Sequence, residues 1–445
     1  MKKRYFVLVV LFISIAANTN AQKEWSLSEC IEYAHANNLR VKSAEYQADI
    51  ANNDLFQAKM NILPDVNAGA SRYYNFGHTV DMQTNSFSDN DFLSDSYEIG
   101  ASVFLFTGLR NYNNIKANEY LALSRLQDVE REKVEITFEI ATAYLRILFN
   151  RELLEIARSQ RDVTNLQVER TDKLVEAGSA ARGDLLEIIA QRAAEDLNVT
   201  NAQNDLNLAY LNLTQLLDLD SVAGFEVFVP DTVDPDFAAP IIDVPTVFYD
   251  GLGFLPHVKS AEYTLLASEK NLAIQKGRLS PTLSLSSNWG TGYSENVRDL
   301  DGEIISYSEQ FRNLDYQNLF ITLRVPIFNK WSVKNDISNA KITVLDAENT
   351  LDLTKQQLYK EIQQAYNDAV SAKEKYKSAN EAVISYAEAF GYTEQKFNVG
   401  IVNSVEYNIA KNNFIKAESD LLQAKYEYVF ALKILDFYRG IPMTL

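Results

Sequence analysis

The sequence contains an internal repeat that covers nearly its whole length. The letters VKSAEY at residues 41–46 recur unchanged at residues 258–263. Farther along, Gly178 and Gly400 stand at corresponding places in the two copies. A repeat of this size predicts two copies of one structural unit. We place the first copy at residues 22–221 and the second at residues 246–445. A linker at residues 222–245, which holds four of the nine prolines, joins them.

Each copy is predicted to form a long helical hairpin. Small and apolar residues of the second copy follow the 4-3-4-3 spacing of packed long helices, without an internal proline from about 331 to 397. The counterpart in the first copy runs from about 110 to 175. Both end near a glycine, after which a helix of about half that length returns. In the first copy, Arg192 and Glu195 interrupt the returning apolar stripe.

Each copy also has two segments in which polar and apolar residues alternate. They lie at about 66–76, 97–106, 283–293 and 317–326, and about ten residues is the length of a membrane β-strand. A half-buried strand of a soluble sheet has the same alternation. Four strands cannot close a membrane barrel, so the chain is predicted to oligomerise, and three copies give twelve strands. Candidate aromatic residues for the membrane interface are Tyr73, Tyr74, Tyr97, Trp289, Tyr293 and Trp331.

The composition excludes several classes of protein. A net charge of −18 argues against nucleic-acid binding, and one cysteine with three histidines argues against a metal centre. No cofactor is expected. P-loop, HExxH and GxSxG motifs are missing from the sequence, so an enzyme is not expected either. Residues 1–21 have the basic start, apolar centre and small final residues of a secretory signal peptide.

Taken together, these features resemble the TolC family of outer-membrane efflux ducts. The resemblance rests on WSLSECIEYAHANN at residues 25–38, on prolines 64 and 281, on VPIFN at 325–329 and on KFNVG at 396–400. It implies a mainly α-helical homotrimer in the outer membrane of a Gram-negative bacterium, with most of the chain in the periplasm. A twelve-stranded barrel among the outer-membrane lipids continues into a helical tunnel. By the same resemblance, helices 27–62 and 184–216 are expected to stack end to end against the long helices.

The resemblance also implies a function and its partners. Such a duct is the passive exit of a tripartite efflux system, fed by an inner-membrane pump through a periplasmic adaptor protein. The exit duct of a type I protein secretion system is an alternative. A soluble periplasmic coiled-coil adaptor is another, which explains the helices but not the four strands.

The family closes its tunnel with acids six and nine residues after the tip glycine. Asp184 and Glu187 match these positions in the first copy, and Glu406 matches in the second, where Ile409 replaces the second acid. A ring of acids selects cations. Carboxylates at helix starts equally cap free N–H groups, so gating and capping both remain open. Arg182 is a candidate salt-bridge partner for these acids.

The turns around the two tip glycines are candidates for docking the adaptor. The glycines permit a positive φ between the helices. Their small or apolar neighbours serve either to contact the adaptor or only to pack the turn. The predicted docking residues are Ala177, Gly178, Ser179, Val399, Gly400, Ile401 and Val402.

Overall fold

The computed structural model describes residues 24–229 and 241–444. The predicted signal peptide and the middle of the predicted linker lie outside the described residues. Two compact units are present. A helical unit contains residues up to Tyr46, Gln127–Lys259 and the chain from Leu353, and a sheet unit contains Gln47–Leu126 and Ser260–Asp352.

The described residues form nine helices and eight strands. The helices are α1 (Leu27–Asn37), α2 (Leu39–Met60), α3 (Arg110–Glu176), α4 (Arg182–Leu216), α5 (Val244–Leu252), α6 (Pro256–Gly277), α7 (Tyr307–Asn313), α8 (Ser332–Asn398) and α9 (Ser404–Tyr438). The strands are β1 (Glu24–Trp25), β2 (Asp65–Asn75), β3 (Thr79–Asp81), β4 (Ser86–Ser88), β5 (Phe92–Phe106), β6 (Glu226–Val227), β7 (Thr282–Ser294) and β8 (Tyr316–Arg324).

The helices repeat the duplication of the sequence. The long helices α3 and α8 each have 67 residues, and the returning helices α4 and α9 each have 35. The turns into α3 and α8 also agree, because each contains two consecutive residues with positive φ, Gly108-Leu109 and Lys330-Trp331. Duplicated helical hairpins are therefore confirmed. Within the described residues, no helix combines the length and the hydrophobicity needed to cross a membrane.

Capping hydrogen bonds fix the start of α1 and its junction with α2. Ser26 and Glu29 form a capping box at the start of α1, in which each side chain binds the other residue's backbone N–H. The helix ends at Asn38, whose side-chain amide donates to the carbonyl oxygen of Leu216 at 2.9 Å. The backbone N–H of Leu39 donates to the carboxylate of Asp218 at 2.9 Å. The junction of α1 and α2 therefore binds the chain at the end of α4.

The core of the helical unit is built around α3. Apolar residues are buried on two sides of this helix, so it needs packing neighbours on both sides. These side chains share one core with residues of α1, α4 and α9. Each large side chain buried there contributes about 1.5–3 kcal/mol of hydrophobic free energy. The fully or nearly fully buried members on α3 are Ile136, Ile140, Ala141, Tyr144, Leu145, Ile147, Leu148 and Leu154.

The sheet unit contains the four predicted strands, in the order β2-β5-β7-β8, and all neighbours are antiparallel. Directly paired residues point to the same face of the sheet, so the register shows which side chains lie on each face. Ile99 pairs with Trp289, and Leu285 pairs with Ile321, on an apolar face. Gly100 pairs with Asn288 on a polar face. The four-stranded part of the predicted fold is confirmed.

The apolar face of the sheet is exposed in the single chain. Val66, Leu319 and Ile321 are 66%, 69% and 68% exposed, respectively. The ion pair of Arg72 and Asp95 interrupts this face near the end of β2. The remaining exposed apolar surface requires a non-aqueous neighbour. Strands β2 and β8 are the edges of the four-stranded sheet and have no strand partner on their outer sides among the described residues.

Candidate gate and docking site at the hairpin tips

The first tip is a tight turn between α3 and α4. Gly178 has φ of 72°, its N–H donates to the carbonyl oxygen of Val175 at 3.0 Å, and Ser179 N–H donates to Leu174 at 2.7 Å. This pair of bonds is a Schellman motif, which satisfies the last carbonyl groups of a helix and needs a left-handed residue.

The second tip repeats this geometry. Gly400 has φ of 77°, its N–H donates to Phe397 at 3.1 Å, and Ile401 N–H donates to Lys396 at 2.9 Å. A Cβ atom added at either tip glycine meets no heavy atom within 4 Å. Glycine is therefore required by the backbone conformation and not by lack of space.

The two tips differ in their exposed side chains. The second presents two apolar residues, Val399 and Ile401, each 71% exposed, and a half-buried Val402. In the first tip, Ala177 and Ser179 are exposed. The apolar surface at the tips thus comes mainly from the second repeat.

Three aromatic rings stabilise the second hairpin just above its tip. Tyr407 stacks on Phe397 with ring centres 4.7 Å apart and lies 5.5 Å from the ring of Phe390. Burial raises the pKa of Tyr407 to about 12, so its hydroxyl stays neutral at physiological pH.

The predicted acids have three different environments. Asp184 accepts a hydrogen bond from the backbone N–H of Ala181 at 3.3 Å and so caps the first turn of its own helix. Glu187 accepts from the hydroxyl of Ser404 at 2.6 Å, a contact between the two repeats. At the start of α9 the side chain of Asn403 is the cap, accepting from Glu406 N–H at 2.9 Å, and Glu406 itself is exposed.

Arg182 does not join these acids. Its side chain is exposed, and no ion pair of Arg182 occurs in the part of the chain that the structure describes. Ser404 occupies the corresponding place in the second repeat, where its buried hydroxyl binds Glu187. The two repeats therefore place different groups at this position of the tip.

A buried ion pair joins the repeats farther from the tips. Lys411 of α9 is 1% exposed and Glu195 of α4 is 4% exposed, and their charged atoms are 2.8 Å apart. The Lys411 ammonium also donates to the hydroxyl of Thr164 and, at 3.3 Å, to the carbonyl oxygen of Gln160. Gln191 donates to Glu195 at 3.2 Å.

The sequence alone did not identify this ion pair, although Glu195 stands out in it as a charged residue within an apolar stripe. Glu195 interrupts the apolar stripe of α4, and a charged residue at a core position requires a partner. Lys411 lies one heptad after Ser404 on α9, so both side chains reach the first repeat from the same face. A further inter-repeat contact comes from Arg170, which donates to the side-chain and backbone oxygens of Asn398.

The aromatic residues predicted for the membrane interface do not all share one surface. Tyr74, Tyr97, Trp289 and Tyr293 lie on the apolar face of the sheet according to its register. Tyr73 is paired with Ser94 and lies on the polar face. Trp331 lies outside the sheet, in the turn that precedes α8, where the Lys334 ammonium is 4.0 Å from the centre of its ring.

Within residues 24–229 and 241–444, no three His, Cys, Asp or Glu side chains form a group that could hold a metal ion. Cys30, the one cysteine of the chain, is buried in the helical core.

An antiparallel sheet with an exposed apolar face, joined in one chain to duplicated long hairpins, defines the class of outer-membrane channel subunits. The family model for outer membrane efflux proteins matches residues 30–218 and 254–440, which is most of both repeats. The chain belongs to this family. Membership places it in the outer membrane of a Gram-negative bacterium, in a family of efflux channels and not of enzymes.

Individual relatives are similar over nearly the whole chain. Outer membrane protein TolC of Vibrio cholerae is 22% identical over 438 residues, covering 96% of this chain and 93% of the relative. Proteases secretion protein PrtF of Dickeya chrysanthemi is 20% identical and covers 97% of this chain and 92% of its own length. The structure of VceC from Vibrio cholerae superposes with a TM-score of 0.77 at 16% identity, covering 94% of this chain and 96% of that one.

Proposed function

We propose that three copies of this chain form the outer-membrane exit duct of a tripartite efflux system. The sheets of the three copies close a twelve-stranded barrel, and the hairpins form a tunnel that receives small molecules from an inner-membrane pump through a periplasmic adaptor. The duct is passive, and its residues serve only to close its inner end and to bind its partners.

The observation that carries this proposal is the open sheet with its exposed apolar face. A single four-stranded sheet leaves the backbone groups of β2 and β8 unpaired on one side. In a membrane each unpaired backbone group costs several kcal/mol, so open edges must pair with other strands. Repetition around an axis pairs β8 of each copy with β2 of the next, turns the apolar face to lipid and turns the polar face to a water-filled lumen.

We place the inner gate at the acids of the hairpin tips. Asp184 and Glu406 are exposed at corresponding starts of α4 and α9, and three copies supply six such carboxylates around the lumen. Their negative potential favours cations over anions. Glu187 lies one turn farther along α4, where its carboxylate accepts a hydrogen bond from the hydroxyl of Ser404.

The adaptor docks on the tip turns in this proposal. Val399 and Ile401 supply exposed apolar contacts, and Gly400 between them forms the short turn that holds them. An apolar centre surrounded by polar residues is the usual arrangement of a protein interface. The proposed partner surface therefore lies mainly on the second repeat.

A duct for type I protein secretion is the second candidate. The similarity to PrtF, which is named as a secretion protein for proteases, favours it. The two candidates share the barrel and the tunnel and differ in the cargo. Deleting the gene separates them, because loss of drug resistance indicates small-molecule efflux and loss of an exported protein from the medium indicates secretion.

Single-channel recording in planar bilayers tests the duct and its gate together. We compare the wild-type chain with the double variant Asp184→Asn/Glu406→Gln. Asparagine retains an oxygen that can accept the Ala181 N–H but has no charge, so the variant keeps the cap and removes the potential. The expected result is a cation-selective wild-type channel and a variant with clearly reduced selectivity.

Two results count against parts of the proposal. Unchanged selectivity in the double variant overturns the acidic gate and leaves Asp184 as a cap, with the duct intact. A chain that yields no channels, although it is folded and extracted from the outer membrane, overturns the duct.

A further inference from the structure

A small hairpin between β2 and β5 packs on the polar face of the sheet. It consists of β3, β4 and the turn between them, and we call it the mouth hairpin (residues 79–88). The carboxylate of Asp81 accepts a hydrogen bond from the hydroxyl of Ser294 at 2.6 Å, and Gln83 donates to the backbone oxygen of Asp95 at 3.4 Å. Ser294 pairs with Ser94 and therefore lies on the polar face.

Gly292 provides the space in which the mouth hairpin rests. It is on the same face as Ser294, two residues away along β7. A Cβ atom added there would lie 2.1 Å from the side-chain nitrogen of Gln83 and 2.6 Å from the backbone oxygen of Asp95, so a side chain at this position forces the Gln83 side chain off the sheet. The Gln83 side chain thus covers the sheet surface directly above Gly292.

The hairpin is fixed by a buried carboxylate. Asp81 and Ser294 are both fully buried, and the second oxygen of Asp81 accepts from the N–H of Gln83 at 2.8 Å. A buried charge is tolerated only where hydrogen bonds replace its water, and here each oxygen has one. The mouth hairpin is therefore an ordered element of the sheet unit.

The second loop at this end of the sheet lies on the opposite face. It joins β7 to β8 and contains α7. The hydroxyl of Thr291 donates to the backbone oxygen of Phe311 at 2.7 Å, and the rings of Tyr293 and Tyr307 are 4.9 Å apart. Thr291 and Tyr293 belong to the apolar face. The two loops therefore hold the end of the sheet between them, one on each face.

From this placement we infer that the mouth hairpin lies inside the pore and narrows its outer opening. The inference rests on the proposed function, since the polar face becomes the lumen only when three copies close a barrel. The hairpin is at the end of the strands opposite to the helices α2 and α3, which is the external end of the proposed barrel.

Three apolar side chains of the hairpin are exposed, beside the polar Asn85 and Ser86 of its turn. Met82 is 86% exposed, Phe87 is 75% exposed and Val80 is 43% exposed. Three hairpins bring nine such side chains to the exit. An apolar constriction hinders water and hydrated ions by dewetting but admits apolar and amphipathic molecules. The exit thus has its own selectivity, separate from the acids of the inner tips.

Cysteine crosslinking tests where the hairpin lies. Met82→Cys places a thiol on the mouth hairpin, and Leu300→Cys places one in the second loop, where Leu300 is completely exposed. The wild-type chain is the background control because its one cysteine, Cys30, is buried. Purified trimers, diluted in detergent, are treated with a short homobifunctional maleimide and separated by denaturing electrophoresis. We expect crosslinked dimers and trimers from Met82→Cys and monomers from Leu300→Cys.

The opposite patterns overturn the inference. If Met82→Cys stays monomeric, or if both variants crosslink equally, the hairpin is no nearer the axis than the outer loop. Single-channel recording of the same two variants, treated with a charged thiol reagent, distinguishes a wrong position of the hairpin from the absence of a channel. Channels that conduct, with the Met82→Cys variant insensitive to the reagent, remove the mouth hairpin from the pore and leave the proposed function standing. A current that the reagent lowers in the Met82→Cys variant, but not in the Leu300→Cys variant, supports the inference.

Discussion

The two hairpins have the same backbone and different polar side chains. Their helices agree in length, residue for residue, and both tips close with the same pair of hydrogen bonds around a glycine. The buried charges do not repeat. The position of Glu195 is held by Ala417 in the second repeat, and the position of Lys411 is held by Ile189 in the first.

This difference shows how a duplicated chain can specify the arrangement of its own copies. Two identical apolar stripes pack in several registers with similar energy, because each small shift replaces one apolar contact by another. A buried cation on one copy and a buried anion on the other are satisfied in only one of these registers. We propose that the Lys411–Glu195 pair selects the register of the second hairpin on the first.

Breaking this pair is expected to have the largest effect on stability. Lys411→Met leaves the Glu195 carboxylate buried without its cation and lowers the free energy of unfolding by about 3–5 kcal/mol. The double variant Lys411→Met/Glu195→Met removes both charges and recovers most of the loss. The measurement is denaturant-induced unfolding of the trimer in detergent, followed by circular dichroism at the helical signal. Equal instability of the single and double variants contradicts a role for the pair.

Substitution of the tip glycines is expected to have the next largest effect, and it tests what the repeats share. Gly178→Ala and Gly400→Ala each place an L-residue at positive φ, which costs about 1–2 kcal/mol. Because no atom crowds either site, the two losses should be nearly equal. Gly183→Ala is the matched control, since Gly183 is helical and equally uncrowded, and it should be neutral or stabilising. Unequal losses at the two tips would show that the turns are not equivalent.

The smallest expected effect depends on pH and concerns α9 alone. Burial raises the pKa of Glu418 above its ordinary value of 4.5, so the folded state binds this proton more tightly than the unfolded state. Stability from this group is therefore full below pH 4.5 and is lost as the pH rises through the folded pKa. Glu418→Gln should raise the melting temperature at pH 8 and have little effect near pH 4.5. If Glu418→Gln raises the melting temperature equally at all pH values, titration of Glu418 is not the cause of the gain.

Local pattern predicted the elements because each rests on short-range physics. The 4-3-4-3 spacing indicated the two long helices, and the alternation around Ile99 and Trp289 indicated strands that pair in the structure. The prolines at 64 and 281 directly precede β2 and β7. Pattern did not reveal that Tyr73 lies on the polar face, because one shift of register reverses every side chain of a strand.

The missed features all depend on residues far apart in the sequence. Asp81 reads as one of several loop aspartates until Ser294 is placed beside it, 213 positions along the chain. Lys411 reads as one more surface lysine of α9 until Glu195 is placed against it, 216 positions away. The role of Asp184 had two readings in the sequence, and the hydrogen bond from Ala181 provides physical support for the cap.

The sequence by itself determined the duplication, the helical hairpins, the glycine turns and the four alternating strands. Periodicity and the φ preference of glycine act within a few residues, so these features can be read from neighbours in the chain. Only the tertiary structure decided which buried charges form a pair, and against which face of the sheet each loop packs. Burial and hydrogen bonding act between atoms in space, and their partners become known only when the chain is folded.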